Sequence, residues 1–159
     1  MNQLAFYLKC TPPTATAQQK GERIVSKGGK SFVVHYKKKP LVEAEELFKG
    51  LLRPHCPKSP ITGPVQAEIE WVFPWRASEK KSVMREFERI PKDTYPDTDN
   101  SNKLLLDVME LMGFFTNDSQ IFDNHPKKFW GDHPGIYVQL KWGVAIEGGW
   151  KRRREGVLL

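Results

Sequence analysis

Two periods of apolar residues run along this chain, one of two residues and one near three and a half, and they divide it into strands and helices. Near the start, "QLAFYLK" sets Leu4, Phe6 and Leu8 against more polar neighbours, the alternation of a half-buried strand, and Pro12-Pro13 ends it. "RIVSKGGKSFVVHY" reads as two short strands joined at Gly28-Gly29, with Phe32, Val34 and Tyr36 on one face. "VQAEIEWVF" alternates most cleanly, with Val65, Ala67, Ile69, Trp71 and Phe73 inward and Gln66, Glu68 and Glu70 outward. "SQIFDN" and "GIYVQLKWG" read as two further strands, the second with Ile136, Val138, Leu140 and Trp142 on one face.

The helical period appears twice. In "KPLVEAEELFKGLL", Pro40 suits a first turn, early glutamates suit the positive end of the helix dipole, and Leu41, Ala44, Leu47, Phe48 and Leu51 form the packed side. In "NSNKLLLDVMELMG", Leu104, Val108, Leu111 and Met112 share a side and Gly113 takes the C-terminal cap. Leu105 and Met109 make a second stripe that needs its own cover, and a subunit interface is one candidate. Residues 76–94 are charge-rich and weakly periodic, which suits a short helix or a loop equally. The pattern therefore predicts a small α+β (mixed α/β) domain over 1–145, with one mixed sheet and two main helices. A basic tail, 146–159, is expected to be mobile when free.

At 159 residues, 39% hydrophobic and 28% charged, the chain has enough apolar surface for one core and does not match a disordered composition. No apolar run approaches the roughly 20 residues needed to cross a bilayer, and "MNQLAFYLKC" lacks the order of a signal peptide, so a cytoplasmic protein with no membrane partner is expected. Cys10 and Cys56 have no CxxC spacing and read as packing residues or bystanders. His125 and His133, with Asp132 nearby, fit no common ligand pattern and read as loop residues. A net charge of +6 favours an anionic partner, because clustered Lys and Arg release counterions on meeting phosphates.

Against that positive balance, one stretch gathers acids. Asp97 and Asp99 stand two apart in a segment read as extended, which points both to one side. Lys103 and Asp107 stand four apart on the helix, nearly one above the other. Asp118 follows the turn "GFFTND" and can be returned to the same cleft by the next strand. Carboxylates brought together repel unless a cation sits among them, and Mg²⁺ suits oxygen ligands shared with waters and substrate phosphate. Spacing alone favours a purely structural set: a helix cap at Asp97 and Asp99, an exposed pair at Lys103 and Asp107, and a turn at Asp118.

More than spacing is present. Pro96-Asp97-Thr98-Asp99-Asn100, then Lys103, Asp107 and Gly113, then Asn117-Asp118-Ser119-Gln120-Ile121 resemble the RusA family of Holliday junction resolvases, whose pattern is PDxDNxxKxxxD, an apolar helix with a glycine turn, and DDxQI. The matching block runs from about Pro96 to Lys128, and the order of elements from Leu4 to Trp142 is compatible. The resemblance implies a homodimer that binds branched DNA, the four-way junction, and cuts paired strands as an endodeoxyribonuclease in recombination, repair or phage DNA processing. It implies Mg²⁺, with Mn²⁺ as a substitute, and no small-molecule cofactor. Asp97, Asp99 and Asp118 match the family's essential acids, Lys103 its catalytic lysine, and Asp107 a supporting carboxylate. Asn117 departs from the family, standing where the first Asp of the pair often lies.

Alternatives consistent with the same residues are a nuclease for flap or fork DNA and a non-catalytic branched-DNA-binding protein. Candidate DNA contacts are Tyr95, which can stack on an unpaired base, and Lys37 to Lys39, Lys80, Lys81, Lys127, Lys128, Lys151, Arg152, Arg153 and Arg154.

Overall fold

A computed structural model of the protein describes residues 1–143. The boundary expected at 145 and the basic run Lys151 to Arg154 lie outside the described residues.

The cleanest alternation in the sequence becomes the central strand. β4 (Val65–Pro74) buries Val65, Ala67, Ile69, Trp71 and Phe73 on one face, as its period of two requires. It pairs antiparallel with β7 (Gly135–Trp142) and parallel with β6 (Ile121–Gly131). β1 (Asn2–Lys9) and β5 (Arg89–Pro91) complete a mixed five-stranded sheet in the order β1-β7-β4-β6-β5. A separate hairpin, β2 (Lys20–Lys27) with β3 (Lys30–Lys37), turns at Gly28 and Gly29. Both glycines have φ near +60 to +80 (62 and 76), the backbone a tight two-residue turn demands and L side chains resist.

The parallel β4–β6 pair needs a crossover, and the chain supplies it through α2 (Lys81–Glu86), β5 and α3 (Thr98–Leu111). α1 (Lys39–Leu52) and α3 pack together and cover one face of the sheet. The resulting core includes Leu41, Phe48 and Leu52 from α1, Leu104, Leu105 and Met109 from α3, and Trp71, Ile136 and Leu140 from the strands. Among the described residues, no helix is long and apolar enough to cross a membrane.

The architecture agrees with the expected small α+β domain, with several local differences. α1 buries Leu52 while Leu47 faces solvent, and its first turn holds no acid because the glutamates begin after it. Residues 76–94, undecided from sequence, contain both α2 and β5. His125 lies within β6, bonded to Asp123 at 2.6 Å, rather than in a loop.

The reading of α3 needs the largest correction. Leu105 and Met109 are both 0% exposed, inside the core of this one chain, whereas Leu111, expected inward, is 72% exposed. The helix lies in the corner between α1 and the sheet, so its apolar stripe must be wider than one side, and Leu105 and Met109 have no surface to offer a second subunit.

Truncating Leu105 to Ala is expected to cost about 2–5 kcal/mol, while Leu111→Ala stays within about 0.5 kcal/mol. Thermal or denaturant melting of the two variants checks this, and similar melting points would contradict the assigned packing.

Candidate active site

The site is built on a ridge of α3 whose Asp99, Lys103 and Asp107 are exposed around the buried Leu106. Residues three, four and seven apart share a helix face, so Asp99, Lys103, Leu106 and Glu110 line up with Asp107 just beside them. The apolar face of the same helix fixes which way this ridge points. Asn102, 1% exposed, accepts a hydrogen bond from Trp71 Nε1 (3.4 Å) and donates one from its Nδ2 to Asn124 Oδ1 on β6 (2.8 Å). A buried amide without partners is costly, so this pairing holds the helix in one register on the sheet.

Asp118 reaches the ridge from a 3-10 turn, Asp118–Gln120, that immediately precedes β6. Three side chains fix that turn. Asn117 accepts from Ser119 N at 2.9 Å, and Glu110 Oε2 accepts from Asp118 N at 2.8 Å. Gln120 does most: its Oε1 accepts from Thr116 N and Asn117 N, and its Nε2 donates to the carbonyls of Ile61 and Gly63. One side chain thus ties the acidic turn to the strand entry at β4.

The outcome is a cavity of about 270 Å³ lined by Asp99, Lys103, Leu106, Asp118, Ile121 and Asn124. Lys103 Nζ donates to Asp107 Oδ1 at 2.8 Å and to Asp118 Oδ2 at 3.1 Å. Its hydrogen bonds to Asp107 and then Asp118 raise its pKa above the ordinary 10.5, against a smaller lowering by burial. The ammonium is therefore charged throughout the neutral range. Because the folded value is raised, any stabilisation from these pairs is complete at lower pH and is lost only as pH climbs through that raised value.

Asp97 is placed differently from Asp99. The helix starts at Thr98, so Asp97 is its N-cap residue and Asp99 already belongs to the first turn. The extended geometry expected for the pair does not form, and helical geometry turns residues two apart away from each other. Asp97 Oδ2 accepts from Asn100 Nδ2 at 3.0 Å and lies outside the cavity lining. Among the described residues, no three or more His, Cys, Asp or Glu side chains are grouped to hold a metal ion. Asp99 and Asp118 on one open cavity nevertheless fit Mg²⁺, which is commonly held by one or two carboxylates with waters and phosphate completing its shell.

The remaining candidates scatter. Tyr95 is 60% exposed and donates its hydroxyl to the Thr14 carbonyl at 2.9 Å. Lys128 donates to the carbonyls of Thr94 (2.6 Å) and Pro96 (2.8 Å), holding the segment that leads to Asp97. Lys127 pairs with Glu68 at 2.9 Å, and Lys39 with Glu43 at 3.6 Å. Lys37 pairs with Glu45 at 2.7 Å. Lys80 and Lys81 are exposed at the start of α2. Glu110, Asn102 and Asn124 were not singled out from sequence. Glu110 was legible in principle, seven residues after Lys103 on the same ridge, but the two asparagines show their role only once β6 and α3 are juxtaposed.

Gln120→Ala removes partners from two backbone N–H groups and two carbonyls, and is expected to loosen the turn that carries Asp118. Amide exchange at Thr116 and Asn117 should accelerate by at least about tenfold, roughly 1.4 kcal/mol, with exchange in the centre of β4 changing far less. Unchanged exchange at those two amides would contradict the assigned role.

The comparisons with known proteins bear on the same elements. The family described as Endodeoxyribonuclease RusA matches residues 11–141, which takes in the hairpin, both main helices and the whole acidic ridge. An uncharacterized protein of Bacillus subtilis (strain 168), YqaN, is 30% identical over 91 residues, which cover 55% of this chain and 63% of that relative. With the central strands β4 and β6, the crossover helix and the acidic turn all inside the matched span, the chain belongs to the RusA endodeoxyribonuclease family.

Proposed function

We propose that this chain is a metal-dependent, structure-selective endodeoxyribonuclease that resolves four-way DNA junctions by paired cuts. The observation that carries the reading is the meeting of Asp99, Lys103 and Asp118 on one open cavity, brought together from two separate segments. In support, the family to which the chain belongs is one of endodeoxyribonucleases.

Asp99 and Asp118 would hold Mg²⁺, with Mn²⁺ as substitute, and Asp97 beside the cavity is assigned as a third carboxylate on family resemblance. When bound, the metal ion supplies an activated water and positive charge for the crowded phosphate. The protein's own groups do the rest. Lys103 presents a permanent ammonium at the cavity rim, suited to the extra negative charge that develops on phosphate during attack. Asp107 accepts a hydrogen bond from that ammonium and, with Asp118, raises its pKa. Leu106 and Ile121 supply an apolar wall that limits where a phosphodiester can settle.

Two cuts placed symmetrically on a junction with approximate two-fold symmetry require two such sites related by a two-fold axis, so the working unit is proposed to be a homodimer. Its interface must be sought away from Leu105 and Met109, which the monomer's core has already taken.

Asp99→Asn is expected to reduce cutting by on the order of a thousandfold while keeping or tightening junction binding, because a ligand and a repulsive charge are removed together. The check is cleavage of a labelled mobile four-way junction beside matched duplex, flap and fork substrates in Mg²⁺, with a chelator control. Paired symmetric nicks on the junction, lost in Asp99→Asn and with chelator, support the reading. Cutting of flaps or forks in preference would change the substrate, and binding without cutting in either metal would sink the nuclease assignment.

A further inference from the structure

Among the described residues the β2–β3 hairpin joins no other strand, and beyond its base its two faces differ in charge. Directly opposed residues on an antiparallel pair share a face. The register Arg23↔Val34, Val25↔Phe32 and Lys27↔Lys30 therefore puts three cations around three apolar side chains on one face. The other face carries Lys20↔Lys37 at the base and then Glu22↔His35, Ile24↔Val33 and Ser26↔Ser31, with Glu22 and His35 paired at 3.1 Å and Lys37 held by Glu45. Arg23, Lys27 and Lys30 are exposed, and among the described residues none of them meets a carboxylate within ion-pair distance. Phe32, 53% exposed, sits in their midst.

Folding gives no reason to gather unpaired cations on one face, since they repel one another. Nor does packing in the core explain Phe32, about half of which is left in solvent. A polyanion that also offers apolar surface satisfies both.

The hairpin is also firmly aimed. Its base is closed by Lys38 N donating to the Gln19 carbonyl, and Lys37 Nζ bonds both oxygens of Glu45 on α1 at 2.7 and 2.9 Å. Lys20 and Lys37 at that base line a cavity of about 240 Å³ together with Leu104 and Asp107 of α3. Asp107 is the partner of Lys103, so the hairpin rises from the flank of the same helix ridge that carries the candidate active site.

We propose that the β2–β3 hairpin is a duplex-binding arm, its Arg23, Lys27 and Lys30 face gripping the DNA that extends away from the cleavage point. This rests on the nuclease reading for the identity of the polyanion. A two-stranded ribbon fits the major groove of B-DNA, and cations spread along both of its strands can reach phosphates on the groove walls. The contact is blind to sequence, since phosphates carry no base information. Val25 and Phe32 lie between the cations, against the sugars or the thymine methyl groups of the groove. The device holds an arm while Asp99, Lys103 and Asp118 address the cut strand.

The test measures binding of a synthetic four-way junction and of linear duplex across a salt series, in an Asp99→Asn background so that cutting does not interfere. The triple variant Arg23→Gln, Lys27→Gln, Lys30→Gln is compared with Lys9→Gln, Lys58→Gln, Arg85→Gln, which removes the same charge from exposed positions elsewhere. The hairpin variant is expected to bind at least about tenfold more weakly than the control near physiological salt, with a salt slope lower by roughly 2 to 3 for three lost phosphate contacts. In the parent protein, DNA should protect Lys27 and Lys30 from acetylation, a readout that needs no variant to fold. Equal affinity and slope in the two triple variants, with no protection, overturns the proposal. The separate cleavage assay keeps the two readings apart. A hairpin-dependent binder that never cuts leaves the arm standing without the nuclease, and a junction cutter indifferent to the hairpin variant does the reverse.

Discussion

The placement of the whole site depends on one buried amide. Asn102 sits in the interface between α3 and the sheet, hydrogen-bonded to Trp71 of β4 and Asn124 of β6. Apolar contacts alone tolerate small slides and rotations of a helix, because they are not directional. An amide stripped of water tolerates much less, since a shift of one residue leaves polar groups unpaired at a cost of about 1–3 kcal/mol. Asn124 also lines the cavity, so the contact that locks the helix belongs to the site itself. With α3 held, the ridge from Asp99 to Glu110 has one direction to face.

The second constraint is where the parallel pair begins. Asp118 stands just ahead of β6, at the start of a strand and not at its carboxyl end, so the strand does not deliver the carboxylate. The delivery falls to side chains: Glu110 takes the Asp118 N–H, and Gln120 spans from Thr116 and Asn117 to Ile61 and Gly63. The Gln in the DSQI sequence is thereby explained physically, as a staple whose amide satisfies four backbone groups at once. Lys128 acts in the same way on the opposite approach, holding the carbonyls of Thr94 and Pro96 ahead of Asp97.

Much of this was legible in the sequence, and the failures have physical causes. β4 and β7 show their burial in plain alternation because each has one covered face. The hairpin announced itself through Gly28-Gly29, the residues its turn requires. β6 was read only at its first residues, since "HPKKFWG" has no clean period. It is a strand because β4 and β5 pair with it from both sides, which is tertiary information. Leu105 and Met109 looked unclaimed because a single-sided helix was assumed where α3 occupies a corner. Asp97 and Asp99 looked like an extended pair because the helix was started at Asn100, two residues too late. The motif pattern pointed to Lys103 and Asp118, which share the cavity with Asp99, but the pattern is silent on Asp97's bond to Asn100.

The acids that stand out in a basic chain also constrain how a phosphate can approach. Asp107 and Asp118 share one ammonium, which leaves that trio with a net negative charge, and Asp99 adds another. A phosphodiester brought to this cavity meets repulsion unless further positive charge arrives with it or before it. Surface lysines are poorly placed to supply it, since Lys127 and Lys37 are already engaged with Glu68 and Glu45. A divalent cation fits the need because it neutralises Asp99 and Asp118 and still offers open positions to phosphate oxygen. The unpaired cations of the hairpin then act at a distance from the chemistry, drawing in the duplex without competing for the carboxylates. On this view charge is separated by task along α3, with the proposed metal on its ridge, attraction for DNA beside it, and Lys103 between the two.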